Sequence, residues 1–252
     1  MKRLGCAIAL AGAATTLLLA ACTLDNEGLP TEDVVFSIPW TVGEESSYTI
    51  VEDDGEPLGT GVLKIEEDEE GRLRLVQEYG NPEFTDRLVL VTEAATLKPI
   101  TVERVITGDE GVLRIEGRYF GGIVEVERTV IQDDKEERRT DRLNVPEHSY
   151  DSASSVFLWR TMELGEGFRA AYNNLATAVV GKPQSIQVTT RVAGRETVEV
   201  PAGSFEAWRV EIRSSGVEQT AWYATGGSRP LVKYDNGEVV FLLESHKEGE
   251  VR

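Results

Sequence analysis

The sequence predicts a mainly β protein: one large antiparallel sheet whose apolar face is covered by one or two short helices. Three observations carry that expectation. From Val34 onward, runs of about four to eight residues rich in Val, Ile, Leu, Tyr and Thr are separated by Gly, Asp, Asn and Pro. Within the runs, side chains alternate. Val124, Val126 and Arg128 fall on one face and Ile123, Glu125 and Glu127 on the other, while Leu73 and Leu75 alternate with Arg72 and Arg74. That is the pattern of antiparallel strands with one face buried and one wet. One stretch, residues 150–174, interrupts the alternation.

In chain order the expected strands are residues 46–52, 59–65, 73–79, 85–92, 99–106, 112–119, 123–131 and 138–145, then 185–192, 196–200, 205–213, 218–224, 230–234 and 238–244. The acidic links 66–71 and 133–136 read as solvated hairpin tips. Asp235-Asn236-Gly237 is a tight turn, because Asn and Gly tolerate the positive φ it needs. In the interruption, Asp151 or Ser152 caps a helix over 152–163, ended by Gly165-Glu166-Gly167. Residues 168–178 are expected to form a second short helix. Pro201 and Gly203 turn the chain between two strands, after which Phe205 re-enters the core.

The N-terminus has its own signature. Lys2 and Arg3 precede an apolar run from Ala7 to Ala21, which ends in Leu19-Ala20-Ala21-Cys22. A bilayer span needs about 20 apolar residues, and this segment is too short once its charged start is removed. The run resembles the lipobox of bacterial lipoprotein precursors. The resemblance implies cleavage before Cys22, lipidation of that residue and attachment to a membrane outside the cytoplasm. Acyl chains contribute roughly 0.8 kcal/mol per buried methylene, and two or three hold a protein on a bilayer where one does not. Thr23 stands where Asp would favour inner-membrane retention, which points to the outer membrane, facing the periplasm, if the organism is diderm. The expected organisation is a signal peptide at 1–21, a lipidated Cys and flexible tether at 22–33, a single β-rich domain at 34–246 and a charged tail at 247–252.

Composition excludes several functions. The formal charge of the 252-residue chain is −18, and loss of Lys2 and Arg3 makes the mature chain more negative still. Nucleic acid is a poor partner for such a surface, and the lipid, not surface charge, must hold the protein on an anionic membrane. Cys6 leaves with the signal and Cys22 is acylated, so the domain has no disulfide, thiol nucleophile or thiolate metal site. No calcium loop, Gly-x-Ser-x-Gly elbow or glycine-rich nucleotide loop is present; Gly121-Gly122 and Gly226-Gly227 lack a following helix pattern. His148 and His246, the two histidines, lack metal-ligand spacing. Ser152, Ser154 and Ser155 lie near His148 and Asp151, but a helix N-terminus explains those letters equally well. With 44 acidic residues, a carboxylate pair for glycan hydrolysis is not identifiable by position. Trp40, Trp159, Trp208 and Trp222 read as core, with a ligand pocket as the alternative. No catalytic residue, metal or cofactor is expected.

Longer stretches carry a family resemblance. Tyr150-Asp151-Ser152-Ala153-Ser154-Ser155-Val156-Phe157-Leu158-Trp159-Arg160, with Leu164 and Gly167, resembles a motif of a widespread family of exported bacterial proteins of unknown function. So does the run Gly194–Ala207, which contains Val200-Pro201-Ala202-Gly203-Ser204-Phe205. Trp222-Tyr223-Ala224, Arg229-Pro230-Leu231-Val232-Lys233 and Val239–Leu243 follow the pattern, and Gly43-Glu44 and Thr96-Leu97-Lys98-Pro99 match loosely. The chain departs from it at Thr225-Gly226-Gly227-Ser228, where the family has an acid. The family is similar in architecture to the Lol-type lipoprotein carriers. This implies a curved antiparallel sheet or half-open β-barrel with its helices on the concave face. The implied function is non-enzymatic binding of an apolar ligand or an envelope protein. A filled, purely structural barrel and a glycan hydrolase are the alternatives.

Overall fold

The computed structural model describes residues 29–52, 54–133 and 135–250; Cys22 and the lipobox lie outside the described residues. One wing is an eight-strand meander: β1 (Glu45–Val51), β2 (Pro57–Glu67), β3 (Leu73–Asn81), β4 (Phe84–Thr92), β5 (Pro99–Gly108), β6 (Gly111–Phe120), β7 (Ile123–Gln132) and β8 (Lys135–Asn144). The other holds β9 (Ser149–Asp151), β10 (Arg169–Ala176), β11 (Gln184–Val200), β12 (Gly203–Ser214), β13 (Val217–Ala224), β14 (Leu231–Asp235) and β15 (Val240–Lys247). Pairing of β1 with β15 joins the wings into one 15-stranded sheet, with β8 and β9 at its edges. β9 runs parallel to β10, and the other neighbours are antiparallel. The fold is the curved, half-open antiparallel barrel that the sequence implies.

Local chemistry makes the turns. In the acidic β2–β3 tip, Asp68 Oδ1 accepts the backbone N–H groups of Glu70 (2.9 Å) and Arg72 (3.0 Å). At the β14–β15 turn, Asn236 Oδ1 accepts from Glu238 and Val239, both at 2.9 Å, and Gly237 takes a φ of +86°. Both carboxylate and amide side chains stand in for backbone acceptors there.

The inner face of the sheet is filled from one end. Residues 152–161 form a short helical segment inside the barrel, a 3-10 turn, the α-helix α1 (Ser155–Leu158) and a second 3-10 turn. Asp151 accepts from Ala153 N–H at 2.8 Å and caps it. Tyr150, Phe157, Leu158, Trp159 and Met162 are at most 2 % exposed, and each such burial contributes roughly 1.5–3 kcal/mol. Residues 32–43 strap across the same end. Glu32 N–H bonds Ala171 O, the N–H groups of Phe36 and Ser37 share Thr161 O, and Gly43 N–H bonds Ile65 O. Trp40 meets Phe157 edge-on at 6.5 Å. This plugged end carries the β2–β3, β4–β5, β6–β7 and β11–β12 links; the opposite, open end carries β3–β4, β5–β6, β12–β13 and β14–β15.

Two buried arginines hold the seam between the wings. Arg104 on β5 binds Asp86 of β4 and donates to Ala178 O at 2.8 Å. Arg128 on β7 binds Asp141 of β8 at 2.6 Å and donates to Val180 O at 2.9 Å. The β10–β11 link is thus clasped against the inner face of the first wing. The exposed edge strand β8 opens with Lys135-Glu136-Glu137-Arg138-Arg139, charges that disfavour pairing with another chain.

Four expectations need correction. Residues 168–178 are not a helix: they contain β10. Neighbours cover both faces of that strand, so Ala170, Ala171 and Tyr172 are all buried and no alternation survives to identify it. The first helix is helical over 152–161 rather than to 163, with only one turn of true α-helix. The expected strands 185–192 and 196–200 are one strand, β11, which continues through a bulge between Val192 and Gly194. The expected tether is docked at its end, because Glu32 and Asp33 already bond to the barrel.

Candidate functional site

The helical segment stops short of the open end, and the strands beyond it enclose a cavity of about 290 Å³. Its apolar wall is a run of rings. Trp159 meets Tyr234 at 5.9 Å, Tyr234 meets Phe241 at 5.6 Å, and Phe241 meets Tyr79 at 5.5 Å. Its polar wall is largely self-satisfied. Tyr79 O–H donates to Gln77 Oε1 at 2.5 Å, Gln77 Nε2 donates to Ala153 O at 2.5 Å, and Tyr234 O–H donates to Gln219 Oε1 at 3.0 Å. Burial pushes both phenols far up, so they act as neutral donors. Asp86 and Arg104 neutralise one another on the same wall. One group is left over: Asn174 Oδ1 is buried without a partner. A buried orphan acceptor carries a desolvation cost of about 1–3 kcal/mol, which a donor on a ligand or a water would relieve. The cavity therefore has room for a small group with one flat apolar face and one hydrogen-bond donor.

Residues from two of the family motifs, Glu44 and Arg160, meet at the plugged end instead, beside Ser228 from the stretch that departs from the family. Arg160 grips Glu44 with two bonds, Nη1 to Oε1 at 2.7 Å and Nη2 to Oε2 at 3.2 Å, and also donates to Ser228 O. The Arg160 and Glu44 side chains are 5 % and 3 % exposed. Arg160 also lies 5.0 Å over the Trp40 ring. His246 bridges the cluster, with Nε2 3.0 Å from Ser228 Oγ and Nδ1 2.9 Å from Ser46 Oγ. Burial lowers its pKa below the usual 6.5. None of these groups lines the open-end cavity; their bonds lock the strap, helix, β1 and β15 together.

The other candidates do not converge. His148 sits beside Asp33, with its Nδ1 3.5 Å from a carboxylate oxygen. Ser154 Oγ donates to Asp151 O at 2.7 Å and Ser155 lines the cavity, so no triad forms with His148. Trp159 lines the cavity and donates to Tyr172 Oη at 2.8 Å. Trp208 packs under Arg195, and Trp222 packs on the outer face under Lys233, its Nε1 2.5 Å from Glu196. Gly121-Gly122 forms the β6–β7 tip and Gly203 the β11–β12 turn, all with positive φ. Sequence reasoning missed Gln77, Tyr79, Asp86, Arg104, Asn174, Gln219 and Tyr234. Their common signal is a polar or phenolic residue on the inward register of a strand, near its open end. Among the described residues no cluster of three metal-ligating side chains occurs.

Comparison with known proteins agrees with this picture. A model of a family described as protein of unknown function (DUF3108) matches residues 44–242, and the chain belongs to that family. No curated protein matches. Among solved structures, a β-barrel-like protein of another domain of unknown function (DUF1849) from Brucella abortus has a TM-score of 0.53 at 12 % identity. That likeness covers 84 % of this chain and 99 % of the other, and shows the same fold. A Bacteroides fragilis protein with YmcC-like fold matches at a TM-score of 0.32 and 13 % identity, over 85 % of this chain and 100 % of the other.

Proposed function

We propose that this member of a family of unknown function is a lipid-anchored, non-enzymatic binding protein of the cell envelope. It takes the ring or polar head of an amphipathic ligand into its open end. The observation that carries the reading is the cavity's pairing of a four-ring wall with one unpartnered buried acceptor, Asn174 Oδ1. Asp86 alone supplies a carboxylate among the residues lining that cavity, and it is bound to Arg104. A hydrolytic pair about 5–10 Å apart has no second member there, which supports binding over hydrolysis. The lipobox at Leu19–Cys22 supports the anchor and a position outside the cytoplasm.

Thermal melting of the full chain, titrated with a fatty acid, a lysophospholipid and a neutral oligosaccharide, tests the ligand reading. A ligand that binds only the folded state raises the melting temperature in proportion to its saturation. The expected result is a rise with an amphipathic ligand that Asn174→Leu abolishes. A rise with the fatty acid alone, insensitive to Asn174→Leu, overturns it. No rise with any class would favour the second reading, a structural envelope protein, which the close filling of the barrel by residues 152–161 supports. Incorporation of labelled palmitate into the wild type but not Cys22→Ser tests the anchor.

A further inference from the structure

The two most exposed large apolar side chains among the described residues are Phe36, at 67 %, and Phe120, at 53 %. Both are aromatic and both stand at the plugged end. Phe36 lies on the strap, where its N–H bonds Thr161 O at the end of the helical segment. Phe120 closes β6 at the Gly121-Gly122 tip and lines a surface groove of about 310 Å³ with Tyr119, Ile123, Val145 and Pro146. The two rings belong to one rim. Lys98 and His148 line the same groove, and both contact Asp33 of the strap. Only Val34 and Val35 then separate Asp33 from Phe36, a reach of about 10 Å. Nothing in the core needs either ring, and solvent-exposed aromatics grouped on a rim mark a contact surface.

We propose that this rim is a membrane-docking face, with Phe36 and Phe120 seated at the headgroup level of the bilayer that holds the lipid anchor. The occupant follows from the chain. Six residues separate Cys22 from Leu29, and the seven steps between them span at most about 25 Å, so an anchored domain cannot stray far from the lipid surface. Exposed Phe rings gain apolar burial when they enter the boundary between headgroups and acyl chains. Charge sets the tilt. The acidic β2–β3 tip, Glu66-Glu67-Asp68-Glu69-Glu70, is also at the plugged end but lies four strands away from β6–β7 around the sheet. Anionic headgroups repel it and leave the Phe36–Phe120 side down. The binding cavity at the other end then opens to the aqueous compartment, away from the bilayer. This proposal rests on the anchored reading.

The test uses the full chain matured in a bacterial host. Single variants Phe36→Cys and Phe120→Cys, with Asp109→Cys at the open end as control, are labelled with an environment-sensitive fluorophore and reconstituted in phosphatidylethanolamine–phosphatidylglycerol vesicles. Cleavage removes Cys6 and acylation blocks Cys22, so each introduced thiol is the sole label site. The expected result is blue-shifted emission at positions 36 and 120, quenched several-fold more by brominated lipid than at position 109. Water-like emission at all three, with the acylated N-terminal peptide confirmed by mass, overturns the proposal. So does a blue shift that brominated lipid does not quench, which would mean a protein covers the rim. An N-terminal peptide without acyl mass sinks the anchor alone. The same labels in a Cys6→Ser, Cys22→Ser chain mixed with vesicles then decide the rim: lipid quenching upholds it and none overturns it.

Discussion

The two ends of the barrel are made from the same strands and differ along them, not between their faces. Toward the plugged end the inward positions are apolar: Leu73 and Leu75 on β3, Leu90 on β4, Val102 on β5, Val124 and Val126 on β7, Val210 on β12. Toward the open end the same inward register turns polar. Gln77 and Tyr79 follow Leu75, Asp86 precedes Leu88, Arg104 follows Val102, Arg128 follows Val126 and Ser214 follows Ile212. A period of two keeps all of these on one face. Ordinary sheets divide polar from apolar between faces; this one also divides its inner face into a filled half that stabilises and an unfilled half that leaves a cavity.

Substitutions should separate the halves. The largest effect is expected at the plugged end. Arg160→Ala leaves Glu44 buried without its partner, a loss of about 3–5 kcal/mol, read as a drop in the denaturant midpoint. Arg160→Lys keeps the charge but not the two-pronged grip, and falls between the two. Equal stability of Arg160→Ala and wild type would mean the plug is not where the fold is held.

A smaller effect is expected at the seam. Arg128→Met frees the carbonyls of Val180 and Gly181 and leaves Asp141 with Arg139 as its remaining partner. We expect a loss of about 1–3 kcal/mol and faster amide hydrogen exchange confined to the β10–β11 link and its neighbours. Uniformly faster exchange would mean that the two wings do not separate as units.

The smallest is a matter of pH. Asp151 is fully buried, where Tyr119 and Thr177 hydroxyls and Ala153 N–H all donate to it. Burial raises its pKa above the usual 3.8. The folded state therefore keeps a proton that the unfolded chain releases, and stability falls as pH rises from about 4 through the raised pKa, then levels. Asp151→Asn should remove that decline while matching the wild type below pH 4. A decline that survives in Asp151→Asn assigns it to another group.

How much of this was legible follows from the same geometry. Strands with one wet face announced themselves by alternation, as β3 and β7 do. β10 did not, because both its faces are covered, and β9 is only three residues long and exists by pairing with β10. The turn chemistry of Asp68, Asn236 and Gly237 was readable because it is local. Glu44 and Arg160 lie 116 residues apart, so motifs pointed to both residues without revealing that they are partners. The cavity residues were visible as polar letters on inward registers. Which strand ends surround a common space is set by β1 pairing with β15, a contact no local pattern encodes.

The proposed function places binding in the open-end cavity and none at the plugged end. Native mass spectrometry of the full chain released from a bacterial envelope tests it most directly, wild type beside Ser214→Trp. Ser214 lines the cavity at the end of β12, where an indole grows into unfilled space, so the roughly 1–3 kcal/mol cost of overpacking a filled core does not apply. The expected result is a small bound mass on the wild type that is absent from Ser214→Trp at unchanged melting temperature. A bare wild-type mass, or a bound mass that persists in Ser214→Trp, would contradict it.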